Sequence, residues 1–237
     1  MKDKNTTNRA DYDFINESIN FKLKCIFIAI PKTGSTSVRR QIRQKGIPWI
    51  SSPHLNILQA RELIYPHLLR SSLKKNLAFP SKNIPTDKDV RAESKQIFKN
   101  FFKFSAVRNP WARAVSLYFR NETIQVREKM TFDHFCEKHF FASDTCRHPT
   151  LHKNQIDWLL DENETIAMDY IYKVEEFNTV INKISRKTNG RVKLKDQVLN
   201  RNQDSQSSTY RDLYSKRSQK IIAERFEKDI DTFKYTF

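Results

Sequence analysis

The sequence predicts an α/β fold, a single domain with a mostly parallel sheet flanked by helices, and three observations predict it. Cys25-Ile26-Phe27-Ile28-Ala29-Ile30 is continuously apolar, which is how a strand buried on both faces of a parallel sheet reads. Residues 101–107, apolar but for Lys103 and Ser105, are a second strand candidate and residues 170–174 a weaker third. Each run is followed by a turn and then by apolar residues at helical spacing, and strands alternating with helices imply parallel, right-handed connections.

Taken in order, residues 1 to about 22 are polar and charged and read as an N-terminal arm, with the domain itself spanning 23–237. The first strand stops at Pro31; Val38 and Ile42 then stand four apart among basic residues, with Gly46 and Pro48 as a stop, so a helix follows the turn. Residues 51–69 resemble a helix interrupted at Pro53 and Pro66, and residues 73–89, with Pro80 and Pro85, read as irregular surface chain. The second strand feeds Arg108-Asn109-Pro110, where Asn109 suits a helix cap and Pro110 the first helical position. Trp111, Ala114, Val115 and Tyr118 fall at i, i+3, i+4 and i+7 and face the sheet. After the third strand, Phe177, Val180, Ile181 and Ile184 repeat the pattern up to Asn189-Gly190, and a last helix is expected from near Ser215 to Asp229.

Composition narrows the function classes. The chain carries 43 Lys and Arg against 27 Asp and Glu, a formal net charge of +16, which predicts an anionic partner. With 17 Phe and only three Gly among 237 residues, it is no disordered tail. No stretch approaches the ~18 uninterrupted apolar residues of a membrane helix. The first 25 residues hold no signal-peptide apolar region either. Cys25, Cys136 and Cys146 are an odd number at wide spacing, which is no secreted disulfide framework, and the expected compartment is the reducing cytoplasm.

Chemistry concentrates in Ile30-Pro31-Lys32-Thr33-Gly34-Ser35-Thr36-Ser37, which joins the most apolar strand to an amphipathic helix. A helix start offers unpaired N–H groups and a positive dipole end, Gly34 admits close approach of an anion, and Lys32 adds a charge. A Walker A loop would need its lysine after the last glycine, whereas Lys32 precedes Gly34.

At these residues the chain resembles the sulfotransferases that use 3′-phosphoadenosine 5′-phosphosulfate (PAPS), whose phosphosulfate loop reads Pro-Lys-x-Gly-x-[Ser/Thr]-[Ser/Thr]. The resemblance implies that Lys32, Thr33, Gly34, Ser35, Thr36 and Ser37 hold the 5′-phosphate and sulfate. The family's 3′-phosphate element is an arginine ending a strand with a serine eight residues on, which Arg108 and Ser116 match. Residues 107–118 further resemble the carbohydrate-directed, family-2 branch, as do Gln155-x-x-Trp158-Leu159 and the stretch 210–235. That implies a P-loop-NTPase-like sulfotransferase fold, PAPS as donor with 3′-phosphoadenosine 5′-phosphate (PAP) as product, no metal, and a carbohydrate acceptor, anionic if the charge is a guide. Residues 47–100 and 120–147 match poorly, and the acceptor is usually read in such segments.

Sulfuryl transfer is an in-line displacement in which positioning and charge stabilisation dominate, by analogy with phosphoryl transfer. The chain must add a base for the acceptor hydroxyl, and histidine suits it. By its position between the two motifs, His54 is the expected base. His152 and His148 are the alternatives, and with Gln155 they are expected to line the acceptor site. His67, His134 and His139 read as surface or packing residues, and Lys32 is expected at the leaving-group oxygen. His134, Cys136, His139, Cys146 and His148 fit no usual zinc spacing. Glu175 reads as a residue that fixes a loop rather than one that does chemistry. A related-fold kinase or NTPase lacks its lysine position here, and a nucleic-acid-binding module lacks any recognised motif, so nucleic acid is not expected as a partner.

Overall fold

The computed structural model describes residues 14–78, 85–119, 125, 128–139, 153–196 and 210–237. Four strands form one sheet in the order β1 (Ile19–Asn20), β2 (Cys25–Ile28), β3 (Phe102–Val107), β4 (Tyr170–Lys173). β1 is antiparallel to β2, and β2, β3 and β4 run parallel. The register pairs Ile28 with Ser105 and Val107 with Lys173, so the three parallel strands deliver their turns to one edge of the sheet. Ligands of open α/β sheets sit at such carboxyl edges.

Every side chain of β2 and β3 is buried, and alternation along the strands sends two sets of them into two cores. Cys25, Phe27, Phe102 and Phe104 pack against Val38 and Ile42 of α1 (Ser35–Ile42) and Val180 and Ile184 of α6 (Phe177–Lys187). Ile26, Ile28 and Val107 face the other core. It is built from α2 (Ile57–Ala78), α4 (Pro110–Tyr118), α5 (Phe132–His139) and α7 (Lys216–Arg225). The outcome is a single α/β domain with helices on both faces of a mostly parallel sheet, as its alternating pattern predicts.

Several local readings need correction. Residues 14–22 are not a loose arm: Phe14, Ile15 and Ile19 are core residues, and β1 lies in this stretch. Its polar side chains mislead because they face inward, Asn16 Nδ2 donating to the carbonyls of Ile50 (2.9 Å) and Ser52 (2.5 Å) and Asn20 Nδ2 to that of Ile42 (2.8 Å). Pro66 does not end a helix but lies inside α2, which runs on to Ala78, because Ile57, Ala60 and Ile64 hold its first turns on the core. Much of 73–89 is therefore helical, and α3 (Asp87–Asn100) starts at Thr86 with a reciprocal cap: Thr86 Oγ1 accepts from Asp89 N while Asp89 accepts from Thr86 N. Only Val90 and Ser94 of α3 are buried, so apolar spacing hardly signals it. The last helix is two, α7 capped by Ser215 and α8 (Glu227–Phe233), with a break at Phe226. Among the described residues no helix is long and apolar enough to cross a membrane.

Candidate active site

Three turns meet at the carboxyl edge. After β2, the chain passes through Pro31, Lys32 and Thr33 into α1, whose N-cap is Gly34 in the left-handed region (φ 70°). Asn109 caps α4 by accepting from the N–H groups of Trp111 (3.0 Å) and Ala112 (3.4 Å), and Thr86 and Ser215 cap α3 and α7. No side chain among the described residues caps α1. An uncapped helix start presents donors and a positive dipole end to whatever lies in front of it.

Gly34 answers to both conformation and space. A Cβ built there would stand 2.8 Å from Val174 Cγ2, just beyond β4, and the left-handed φ adds roughly 1–2 kcal/mol for any side chain. Lys32 is the less usual case, a non-glycine residue at φ 69°. Thr33, Ser35 and Ser37 are buried while Lys32 and Thr36 are half-buried, so the loop mixes packed supports with accessible groups.

Arg108 reaches across from the β3–α4 turn, its Nη1 donating to the Lys32 carbonyl at 3.3 Å. Burial pushes its guanidinium down from the ordinary range, while the nearby Glu175 and Tyr235 oppose that shift. Its backbone is held on both sides by Gln155, whose Oε1 accepts from Arg108 N and whose Nε2 donates to Arg108 O, both at 2.8 Å. Glu175 accepts from Asn109 N at 2.8 Å and from the Tyr235 hydroxyl at 3.3 Å, a loop-fixing position as its sequence context suggests. Ser116 is half-buried in α4, about 9 Å along the axis from the first residue of that helix.

His54 joins the same edge. Its Nδ1 lies 2.6 Å from the Ala29 carbonyl, the residue after β2. A carbonyl only accepts, so Nδ1 carries the hydrogen and in the neutral ring Nε2 holds the lone pair. The loop, Arg108 and His54 are thus brought together from three chain segments, whereas His148 and His152 lie outside the described residues.

Gln155 does not line an acceptor cleft. It is fully buried, and besides Arg108 it contacts Asp229, whose carboxylate accepts from Gln155 N (2.7 Å), Gln155 Nε2 (3.2 Å) and Ile156 N (2.9 Å). Burial pushes the Asp229 carboxyl up, and those donors and Arg113 oppose the rise. Sequence reasoning missed Asp229 and Arg113 as parts of the site. The signal was present in Ile222, Phe226 and Asp229, which fall at i, i+4 and i+7 and so put an acid on an apolar face.

The other histidines and the cysteines fall elsewhere. His67 packs on the Phe21 ring at 5.1 Å, and burial lowers its pKa from the ordinary value. His134, Cys136 and His139 are on α5, where burial pushes the Cys136 thiol up; the Cys25 thiol is likewise pushed up to about 12. Among the described residues no three His, Cys, Asp or Glu side chains gather as metal ligands.

An uncapped helix start, a lysine, a half-buried arginine and an oriented imidazole around one edge can hold a dianionic ligand at two points and accept a proton beside it. No curated protein and no solved structure matches the chain significantly. A family model does, Sulfotransfer_2, described as "Sulfotransferase family", over residues 18–236. With nearly its whole length matched, and with the two strand-to-helix turns in contact at the sheet edge, the chain belongs to the sulfotransferase family.

Proposed function

We propose that the chain transfers the sulfuryl group of PAPS to a hydroxyl of a carbohydrate acceptor, with His54 as general base. The observation that carries this reading is the contact between the two turns, Arg108 Nη1 on the Lys32 carbonyl, with His54 on the adjoining Ala29 carbonyl. A nucleoside carrying phosphates at both ends suits this pair of turns. The cradle fits such a donor: α1 is uncapped, Gly34 admits no side chain, and Arg108 is a half-buried cation.

PAPS supplies an activated sulfuryl group on a good leaving group. The chain's part is to hold and to move a proton. Lys32, the N–H groups of residues 33–36 and the Ser37 side chain bind and polarise the phosphosulfate end, Arg108 and Ser116 bind the 3′-phosphate, and His54 Nε2 takes the acceptor proton. Support for a sugar acceptor comes from the resemblance of residues 107–118 to the carbohydrate-directed branch. It also comes from Trp49, which is 37% exposed in the segment leading to His54 and offers an aromatic face. The charge of +16 favours an acidic glycan over a neutral one.

The test is binding and transfer together. PAP is expected to raise the melting temperature without added metal, because a ligand of the native state stabilises it by mass action. Radiolabel from PAPS should appear on members of a panel of acidic oligosaccharides. Arg108→Ala should weaken PAP by roughly 10- to 100-fold, the equivalent of a charge-assisted hydrogen bond. Unchanged PAP affinity together with a lower melting point in the free variant would reduce Arg108 to a support of the helix start. Magnesium-dependent turnover of nucleoside triphosphate, with no response to PAP, would replace the proposal by a kinase or NTPase.

A further inference from the structure

From Ile28 to Lys32 five consecutive main-chain carbonyls each meet a side-chain hydrogen-bonding group. Ser105 Oγ donates to Ile28 O (2.7 Å), His54 Nδ1 to Ala29 O (2.6 Å) and Thr33 Oγ1 to Ile30 O (2.9 Å). Arg113 Nε donates to Pro31 O (3.2 Å) and Arg108 Nη1 to Lys32 O (3.3 Å). A carbonyl turned into an anion site opposes the anion, and a carbonyl held by a donor is kept from turning. Because the peptide unit is planar, holding the Pro31 oxygen also fixes the direction of the Lys32 N–H.

That peptide has a reason to turn. Lys32 sits at φ 69°, a left-handed conformation that a lysine adopts at a cost. Flipping the Pro31–Lys32 peptide by half a turn would carry this φ to about −110°, an ordinary value for a side-chain-bearing residue. The flip would also put the Pro31 carbonyl where the Lys32 N–H now points. The bond from Arg113 opposes it.

Arg113 is poorly explained as a stabiliser. It is 4% exposed and its charge is buried, so that desolvation lowers its pKa to about 10, opposed by Asp229 and reinforced by Arg108. Its Nη1 donates to Lys153 O at 3.3 Å and its guanidinium lies 5.6 Å from the Phe226 ring centre, but Nη2 is buried with no hydrogen-bond partner among the described residues. Burying an incompletely satisfied guanidinium works against stability where an apolar side chain would pack.

We propose that Arg113 is a positioning residue for the transfer reaction: it holds the Pro31–Lys32 peptide against a flip that would relax Lys32 and turn a carbonyl toward the donor. The inference rests on the proposed function, since the group positioned is the phosphosulfate loop. Arg113→Lys keeps the charge but replaces two directed donors on a rigid plane by one flexible ammonium. Arg113→Gln keeps an N–H donor without charge.

Both variants are compared with the wild type for melting temperature, PAP affinity by calorimetry, turnover number at saturating PAPS, and the 15N-edited signal of the Lys32 amide. The expected result is a turnover loss on the order of 10- to 100-fold, the scale of a small misplacement of reacting groups. PAP affinity should change by less than about threefold, since most of its contacts lie elsewhere. The Lys32 amide should shift on adding PAP in the wild type and stay put in the variants.

Turnover unchanged in folded variants would overturn the inference, as would parallel losses of turnover and PAP affinity. So would a lower melting point as the only effect, or failure of both variants to fold, because Arg113 would then serve the core alone. A wild type inert toward PAP and PAPS would overturn the proposed function along with it, whereas an active wild type with unaffected variants overturns this inference alone.

Discussion

His54→Ala is expected to lower sulfuryl transfer by ~100- to 10,000-fold, the range a general base contributes, while PAP binding and the melting temperature stay close to the wild type. The geometry gives the reason for the split. His54 touches the Ala29 carbonyl with Nδ1, so the imidazole is oriented by the strand end rather than by the donor loop, and removing the ring leaves Lys32, Gly34 and Arg108 in place. A rate measurement alone would not separate a base from a support. The pH profile does, because the limb on which activity rises as the imidazole loses its proton should vanish with the residue. Near-normal turnover with an unchanged profile would remove His54 from the chemistry and make His152, then His148, the residues to replace.

Lys32→Ala is expected to cost on the order of 100- to 1,000-fold in turnover, comparable to removing one donor aimed at developing charge. Loss of PAP affinity should be smaller, since the ammonium is worth most when negative charge builds on the leaving oxygen. Single-turnover rates at saturating donor, set beside PAP affinity, make the comparison. Equal losses in both would show that Lys32 binds ground state and transition state alike. The melting temperature should barely move: Lys32 is half-buried in a turn, and alanine inherits the same left-handed backbone without relieving it.

The two central parallel strands could be read because 25–30 is apolar throughout and 101–107 apolar but for Lys103 and Ser105, closed by Pro31 and by Arg108-Asn109-Pro110, whereas β4, with one buried residue in four, left a weaker trace. The loop could be read for a related reason, a helix start with glycine where a cap belongs. Elsewhere what decides the structure is long-range hydrogen bonding, which leaves no periodicity. Asn16 and Ser18 look like solvated residues and are buried against the carbonyls of Ile50, Ser52 and Pro53. Gln155 looks like a polar contact for substrate, yet it closes on Arg108 and Asp229 from 47 and 74 residues away. Arg113 is one letter of a motif until its distance to Pro31 is known.

The anchoring of residues 49–53 has a bearing on how acceptor preference could change over evolutionary time. Phe14 O and Ile15 O accept from the N–H groups of Trp49 and Ile50, while Asn16 and Ser18 donate to the carbonyls of Ile50, Ser52 and Pro53. Every one of these bonds reaches the main chain of the segment, which any amino acid supplies, proline for want of an N–H excepted. Side chains at positions 49, 51 and 52 are therefore free to be exchanged without loosening the path that leads to His54. Under the proposed function, acceptor recognition at those positions would be exchangeable independently of the main-chain frame that keeps the His54 imidazole on Ala29.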